Sequence, residues 1–201
     1  MPGLATVFTI FALSLPAAAL AQTAPSFHVK GTVVTADATS LTVQGEDGQT
    51  GTIALPVGYR LVGEKTASLA AVKPGGFVGI GSIPDGKGGQ NAVEVTIFPP
   101  AMAGTGEGSY PWALRSDGTM TNATVAATVA AADGQSLSVT YKGGARVIAV
   151  PPGTPVVAIA PATPADLKPG ANVSVSGATD AAGKPMAKFV VVGLNGAVPP
   201  V

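Results

Sequence analysis

Over short stretches of this chain, hydrophobic residues fall at every second position, and Gly, Pro and Asp separate the stretches. A period of two marks half-buried β-strands, whose successive side chains point to opposite faces. The pattern predicts strands over Val29–Thr35, Leu41–Gln44, Gly51–Leu55, Tyr59–Val62, Phe77–Ser82 and Ala92–Phe98. A second series runs through Leu137-Ser138-Val139, Ala145–Val150, Pro155–Ile159, Asn172–Gly177 and Ala187–Val192. Ala36-Asp37-Ala38 and Ala132-Asp133-Gly134 have the composition of hairpin turns. Pro56 and Pro151 end strands, because proline cannot donate to a ladder. Ser68 and Thr163 each open one helical turn, which Pro74-Gly75 and Pro169-Gly170 close.

The two series are copies of one unit. Leu41-Thr42-Val43 corresponds to Leu137-Ser138-Val139, 96 residues on. Ala54-Leu55-Pro56 and Lys73-Pro74-Gly75 correspond to Ala149-Val150-Pro151 and Lys168-Pro169-Gly170, each 95 residues on. Ala92, Val95 and Ile97 continue that spacing to Ala187, Val190 and Val192. A slip of one residue over such a length is a single insertion in a turn, so the chain is an internal duplication. Five or six short strands with one helical turn per copy suit a small closed barrel, which leaves no exposed edge. The expected fold is all-β: two tandem small antiparallel β-barrels, OB-like, each with one short helical turn.

The expected division follows the copies. Residues 1–21 form a signal peptide and 22–27 the mature N-terminal segment. The first barrel spans 28–98, a Gly/aromatic connector 99–120, the second barrel 121–193, and a Pro-rich tail 194–201. The signal peptide is read from the uncharged apolar run Leu4–Leu15, then Pro16 and the small-residue site Ala19-Leu20-Ala21. Cleavage there leaves Gln22 first. The n-region carries no Lys or Arg. A periplasmic or secreted location follows. No other segment is long and apolar enough to span a membrane, so a permease is excluded.

Lys30-Gly31-Thr32-Val33, Leu41-Thr42-Val43 and Val72-Lys73-Pro74-Gly75 in copy one, with Leu167-Lys168-Pro169-Gly170 and Val173-Ser174-Val175-Ser176-Gly177 in copy two, form a recognisable pattern. It resembles DUF5666, a family of exported bacterial β-domains with no assigned activity, over most of residues 28–193. Copy two departs from it at Asn122-Ala123-Thr124, where the glycine-bearing first strand is expected. The connector resembles exported proteins that carry a metal ABC transporter permease label. That resemblance implies, at most, an accessory role in metal handling or transport.

Composition narrows the chemistry. The chain has 11 basic and 11 acidic residues among 201 and 46% hydrophobic residues. It therefore lacks the net charge of a disordered chain and the basic field of a nucleic-acid binder. Without cysteine there is no disulfide, thiolate ligand or thiol nucleophile. One histidine, His28, cannot make an ordinary zinc or copper site without carboxylates, and no nucleophile stands beside it in sequence. No metal site, cofactor or catalytic residue is assigned. Glu46-Asp47 beside Gly48 reads as a solvated turn.

The connector is the least repeated segment, and it holds Gly104, Gly106, Glu107, Gly108, Tyr110 and Trp112, the last being the only tryptophan. Its Gly-x-Gly-x-Gly run lacks the Gly-Lys-Ser/Thr and the following helix of a phosphate loop. Two readings of these residues stand. In one, Tyr110 and Trp112 wedge between the two units; in the other, the six residues form a ligand or partner site. The sequence as a whole points to a monomeric, non-enzymatic binding or structural protein of the cell envelope. Its partner would be an envelope protein, a polymer or a small ligand.

Overall fold

The computed structural model describes residues 25–131 and 134–200. The expected signal peptide (1–21) and the hairpin tip Ala132-Asp133 lie outside the described residues. Each predicted strand is present, mostly one to four residues longer. The strands are β1 (Ser26–Ala36), β2 (Ser40–Gly45), β3 (Thr50–Ala54), β4 (Arg60–Thr66), β5 (Phe77–Pro84) and β6 (Gln90–Ile97), then β7 (Gly108–Pro111), β8 (Thr119–Ala131), β9 (Gly134–Tyr141), β10 (Gly144–Val150), β11 (Val156–Ala160), β12 (Asn172–Thr179) and β13 (Pro185–Gly193). The two expected helical turns are single 3-10 turns at Leu69–Ala71 and Pro164–Asp166. In the second, the Asp166 carboxylate accepts hydrogen bonds from the Thr163 N–H and hydroxyl at 2.8 and 3.0 Å. The strand β7, inside the connector, has no sequence signal beyond Tyr110, because a glycine and a proline at its two ends hide its short alternation.

The strands form one 13-stranded sheet in the order β10-β9-β8-β5-β6-β11-β4-β13-β12-β1-β2-β3, with β7 added on β8. Single residue pairs also link β10 to β6 (Ala149 with Asn91) and β13 to β3 (Met186 with Ala54). The duplication is visible in the backbone. Both copies carry a bulge in the first strand, at Val33/Thr35 and Val125/Ala127. Both carry another at Gly81/Ser82 and Ser176/Gly177. The one-residue slip lies between the second and third strands. There Gly45 N–H bonds Gln49 O around Glu46-Asp47-Gly48, whereas Tyr141 pairs with Gly144 around Lys142-Gly143.

The copies do not pack as tandem units. One hydrophobic core joins Val33, Leu41, Val43 and Ile53 of copy one to Val173, Val175, Val190 and Val192 of copy two. The other joins Val78, Ile80 and Val95 of copy one to Val125, Leu137, Val139 and Ile148 of copy two. This corrects the expected division into a barrel over 28–98 and another over 121–193. Each copy gives β1–β3 or β8–β10 to one half of the molecule and β5–β6 or β12–β13 to the other. The physical reason is the duplication itself, since corresponding strands present the same apolar face and either copy can supply it.

The crossing point is the antiparallel pair β4–β11, where Gly63 faces Ala160, Glu64 faces Ile159 and Lys65 faces Ala158. Glu64 and Ile159 are themselves 95 residues apart, so a local two-fold axis passes between them. The Pro-rich tail is also part of the fold. Ala197 O accepts from Asn172 Nδ2 at 3.1 Å, and Pro200 O accepts from Lys30 Nζ at 2.9 Å. A chain of residues 25–98 alone retains every strand type but lacks its partners. Light scattering is expected to show it as a dimer that rebuilds the exchange around a β4–β4 pair; a folded monomer would contradict the interlocked arrangement.

Candidate functional site

The connector closes on itself. Gly104 and Gly106 adopt positive φ, 81° and 60°, and bring the chain back so that Tyr110 OH donates to Gly106 O at 3.3 Å. Asn122 Nδ2 from β8 donates to both Gly106 O (3.2 Å) and Tyr110 OH (2.9 Å). Glu107 Oε1 accepts from the Lys142 N–H of the β9–β10 turn at 3.2 Å. Gly108 begins β7, paired with Asn122. The structure thus brings Gly106 and Tyr110 together, sends Glu107 to a neighbouring turn and leaves Gly104 exposed.

Trp112 is 6% exposed. Its ring lies against Gly81 of β5, where a Cβ would run into the indole and into Glu94 Cγ, and against Gly118. The next residues, Ala113 and Leu114, border a cavity whose other wall is Phe27, His28, Ser176 and Lys188 of the opposite half. Trp112 and its followers therefore sit where the two halves meet.

Beside that tryptophan lies Glu94, with Glu64 near it, two carboxylates that the sequence does not single out. Glu64 is 8% and Glu94 3% exposed, and the Oε2 atom of each has no hydrogen-bond partner. Glu94 alternates with Val95, a core residue, so it points to the opposite face of β6, into the joint between the halves. Burial raises the Glu64 pKa to about 7. Burial, then the nearby charge of Glu64, raises Glu94 to about 8, partly offset by Lys30. In sequence, Val93-Glu94-Val95 has the form of a strand with one wet face, and only the opposite half turns that face into an interior.

His28 also gains a partner. Its Nε2 lies 2.8 Å from Ser174 Oγ, across the β1–β12 pair. Burial first, then the Lys30 charge, lowers its pKa, with Glu46 opposing. Serine beside a neutral histidine suggests nucleophilic chemistry. However, Ser174 is 4% exposed and sits mid-strand, where the ladder consumes the backbone amides an oxyanion hole would need. The pair serves as a part-buried hydrogen bond between the two strands. Among the described residues no three His, Asp or Glu side chains converge to hold a metal.

The half built on β1–β3 is open at one end. A cavity of about 310 Å³ there is lined by Phe27, Val29, Val43, Gly51, Ile53 and Pro185, with Asp47, Gln49 and Thr50 at its rim. The β-strand period explains the lining, since Val43 and Ile53 point inward from β2 and β3 and Gly51 replaces a side chain that would fill the space. A Cβ at Gly51 meets no atom within 4 Å. Comparison with protein-family models, with curated proteins and with solved structures finds no match, so the resemblance to DUF5666 rests on the residues quoted above.

Two outcomes follow from the joint. The folded pKa values of Glu64 and Glu94 lie above the ordinary carboxylate value, so the folded state holds extra protons between about pH 4.5 and 8. The contribution of these two carboxyls to stability is therefore fully present below about pH 4.5, shrinks as pH rises above it and is lost by about pH 8. Melting temperatures from pH 5 to 9 should decline, and Glu94→Gln should flatten the decline. Trp112→Ala removes the indole cover and should cost about 3 kcal/mol in urea denaturation, the usual scale for an aromatic cavity.

Proposed function

We propose that the protein is an exported, non-enzymatic binding or structural protein of the bacterial cell envelope. The observation that carries the binding part is the apolar cavity at the open end of the first half, walled by Phe27, Val29, Val43 and Ile53. Its size lies at the lower end of small-ligand sites, and its polar groups stand only at the rim. The enzymatic alternative requires a reactive group open to substrate, whereas Glu64, Glu94 and Ser174 are all under 10% exposed. The export part rests on the apolar run Leu4–Leu15 and the Ala19-Leu20-Ala21 site. Among the described residues, no helix is long and apolar enough to cross a membrane.

The finer architectural reading is two small OB-like barrels, each assembled from both copies. The pairs that bring β10 to β6 and β13 to β3 support closure of each half. The proposed metal-handling role draws only on the resemblance of the connector.

The cavity can be tested with an environment-sensitive apolar dye such as anilinonaphthalene sulfonate. One dye per folded chain is expected. Gly51→Leu, which fills open space on the strand, should abolish binding and stabilise the chain by about 1 kcal/mol through added burial. Undiminished dye binding to the Gly51→Leu chain would remove the cavity as the site.

A further inference from the structure

The two halves of the molecule are built alike, yet their ends beside β1 and β8 differ. In the half built on β8, residues Thr124–Ala131 pair with β9, and residues Thr119–Asn122 pair with the connector strand β7. In the half built on β1, residues Gly31–Ala36 pair with β2 in the same way. Ser26–Lys30 have β12 on one side and, among the described residues, no strand on the other. The correspondence is fixed by register. Val33 faces Val43 as Val125 faces Val139, and Val29 faces Val175 as Thr121 faces Ile80. Phe27–Lys30 thus stand where Thr119–Asn122 stand in the other half, but without the equivalent of β7.

The backbone groups left without a paired strand among the described residues are the ones an added strand would need. Val33 N–H and C=O bond the Ala171 and Gly170 backbone, on the β12 side. Alternation along an antiparallel strand then turns His28 and Lys30 N–H and C=O toward the side where the described residues place no strand. Their counterparts, Met120 and Asn122, are paired with Tyr110 and Gly108 of β7. An unpaired edge of this kind is a template for another chain.

The side chains differ in a matching way. The inward residue of β7, Ser109, meets Thr121 through a 3.0 Å hydroxyl contact. In the open half the residue equivalent to Thr121 is Val29, and it borders the apolar cavity. The mouth of the β8 half is further filled by Tyr141, packed against its core, where the open half has Gly45. A strand added to β1 would therefore meet an apolar hole where β7 meets a hydroxyl.

Resting on the binding reading above, we propose that the free edge of β1 at Phe27–Lys30 takes an extended peptide segment of a partner protein as an added antiparallel strand. Its main chain pairs with His28 and Lys30, and one apolar side chain enters the cavity between Val29, Val43 and Ile53. Main-chain bonds supply affinity in such a complex, and the pocket for the alternate side chain supplies selectivity.

The probe is a synthetic peptide of residues 106–113 carrying Ser109→Leu, titrated into the full mature chain by NMR. Saturable one-to-one binding is expected, with slowed hydrogen exchange at the His28 and Lys30 amides. Methylating the peptide nitrogens of Gly108 and Tyr110, which face β1 in this register, should weaken binding about tenfold or more, as should Gly51→Leu in the protein. Methylating residue 109 instead should leave it unchanged. No saturation, protection elsewhere, or indifference to the Gly108 and Tyr110 methyl groups would overturn strand addition. Dye binding that persists alongside such a failure would leave the binding reading intact. A concentration-dependent dimer protected at His28 and Lys30 without peptide would identify the occupant as a second copy and overturn the partner-peptide proposal.

Discussion

Pairing of β4 with β11 is the constraint on which the rest of the structure depends. Those strands lie side by side at the centre of the sheet order, with β13 beyond one and β6 beyond the other. Once they pair antiparallel about Glu64 and Ile159, each chain segment that follows is delivered to the opposite half. The link after β4 carries β5 and β6 to the core of β8–β10, and the link after β11 carries β12 and β13 to the core of β1–β3. Neither core is complete without both copies. A protein with no disulfide and with small units gains cohesion from that exchange, because each core needs strands of both copies.

The same exchange explains the most costly feature of the molecule. Strands that would show one face to water in an isolated unit are pressed against each other at the joint. Glu64 and Glu94 lose their solvent there and gain no hydrogen bond at Oε2. Burial of unpaired carboxylates is unfavourable, and the chain responds by keeping them protonated into the neutral range. Trp112 and the glycine beneath it, Gly81, complete the seal. The connector residues singled out in the sequence therefore divide. Trp112 belongs to the joint, while Gly106 and Tyr110 shape the loop that presents β7.

Function in a duplicated protein is most visible where the copies stop matching. Scaffold positions agree in register, bulges and helical turns. The open end does not: Gly45 stands for Tyr141, Val29 for Thr121, and, among the described residues, a bare edge for the one that β7 covers. One half has filled its mouth with its own chain, and in the other, among the described residues, both the hole and the backbone groups beside it lack a strand. That difference, more than the glycine run of the connector, is where the two halves of the molecule part in structure.

The sequence by itself determined most of the strands (though not β7 or β8), the turns between them, the duplication and the all-β class. These depend on local period and turn chemistry, which each short segment carries within itself. It also marked Trp112 as structural or functional, since a lone large aromatic in an unrepeated segment must be buried or used. Tertiary structure alone decided which copy completes which core, because corresponding strands of a repeat present interchangeable faces. It decided too that Glu94 is interior and that His28 meets Ser174, 146 residues away. Alternation says that a side chain leaves its own core, but only the partner half says whether water lies beyond it.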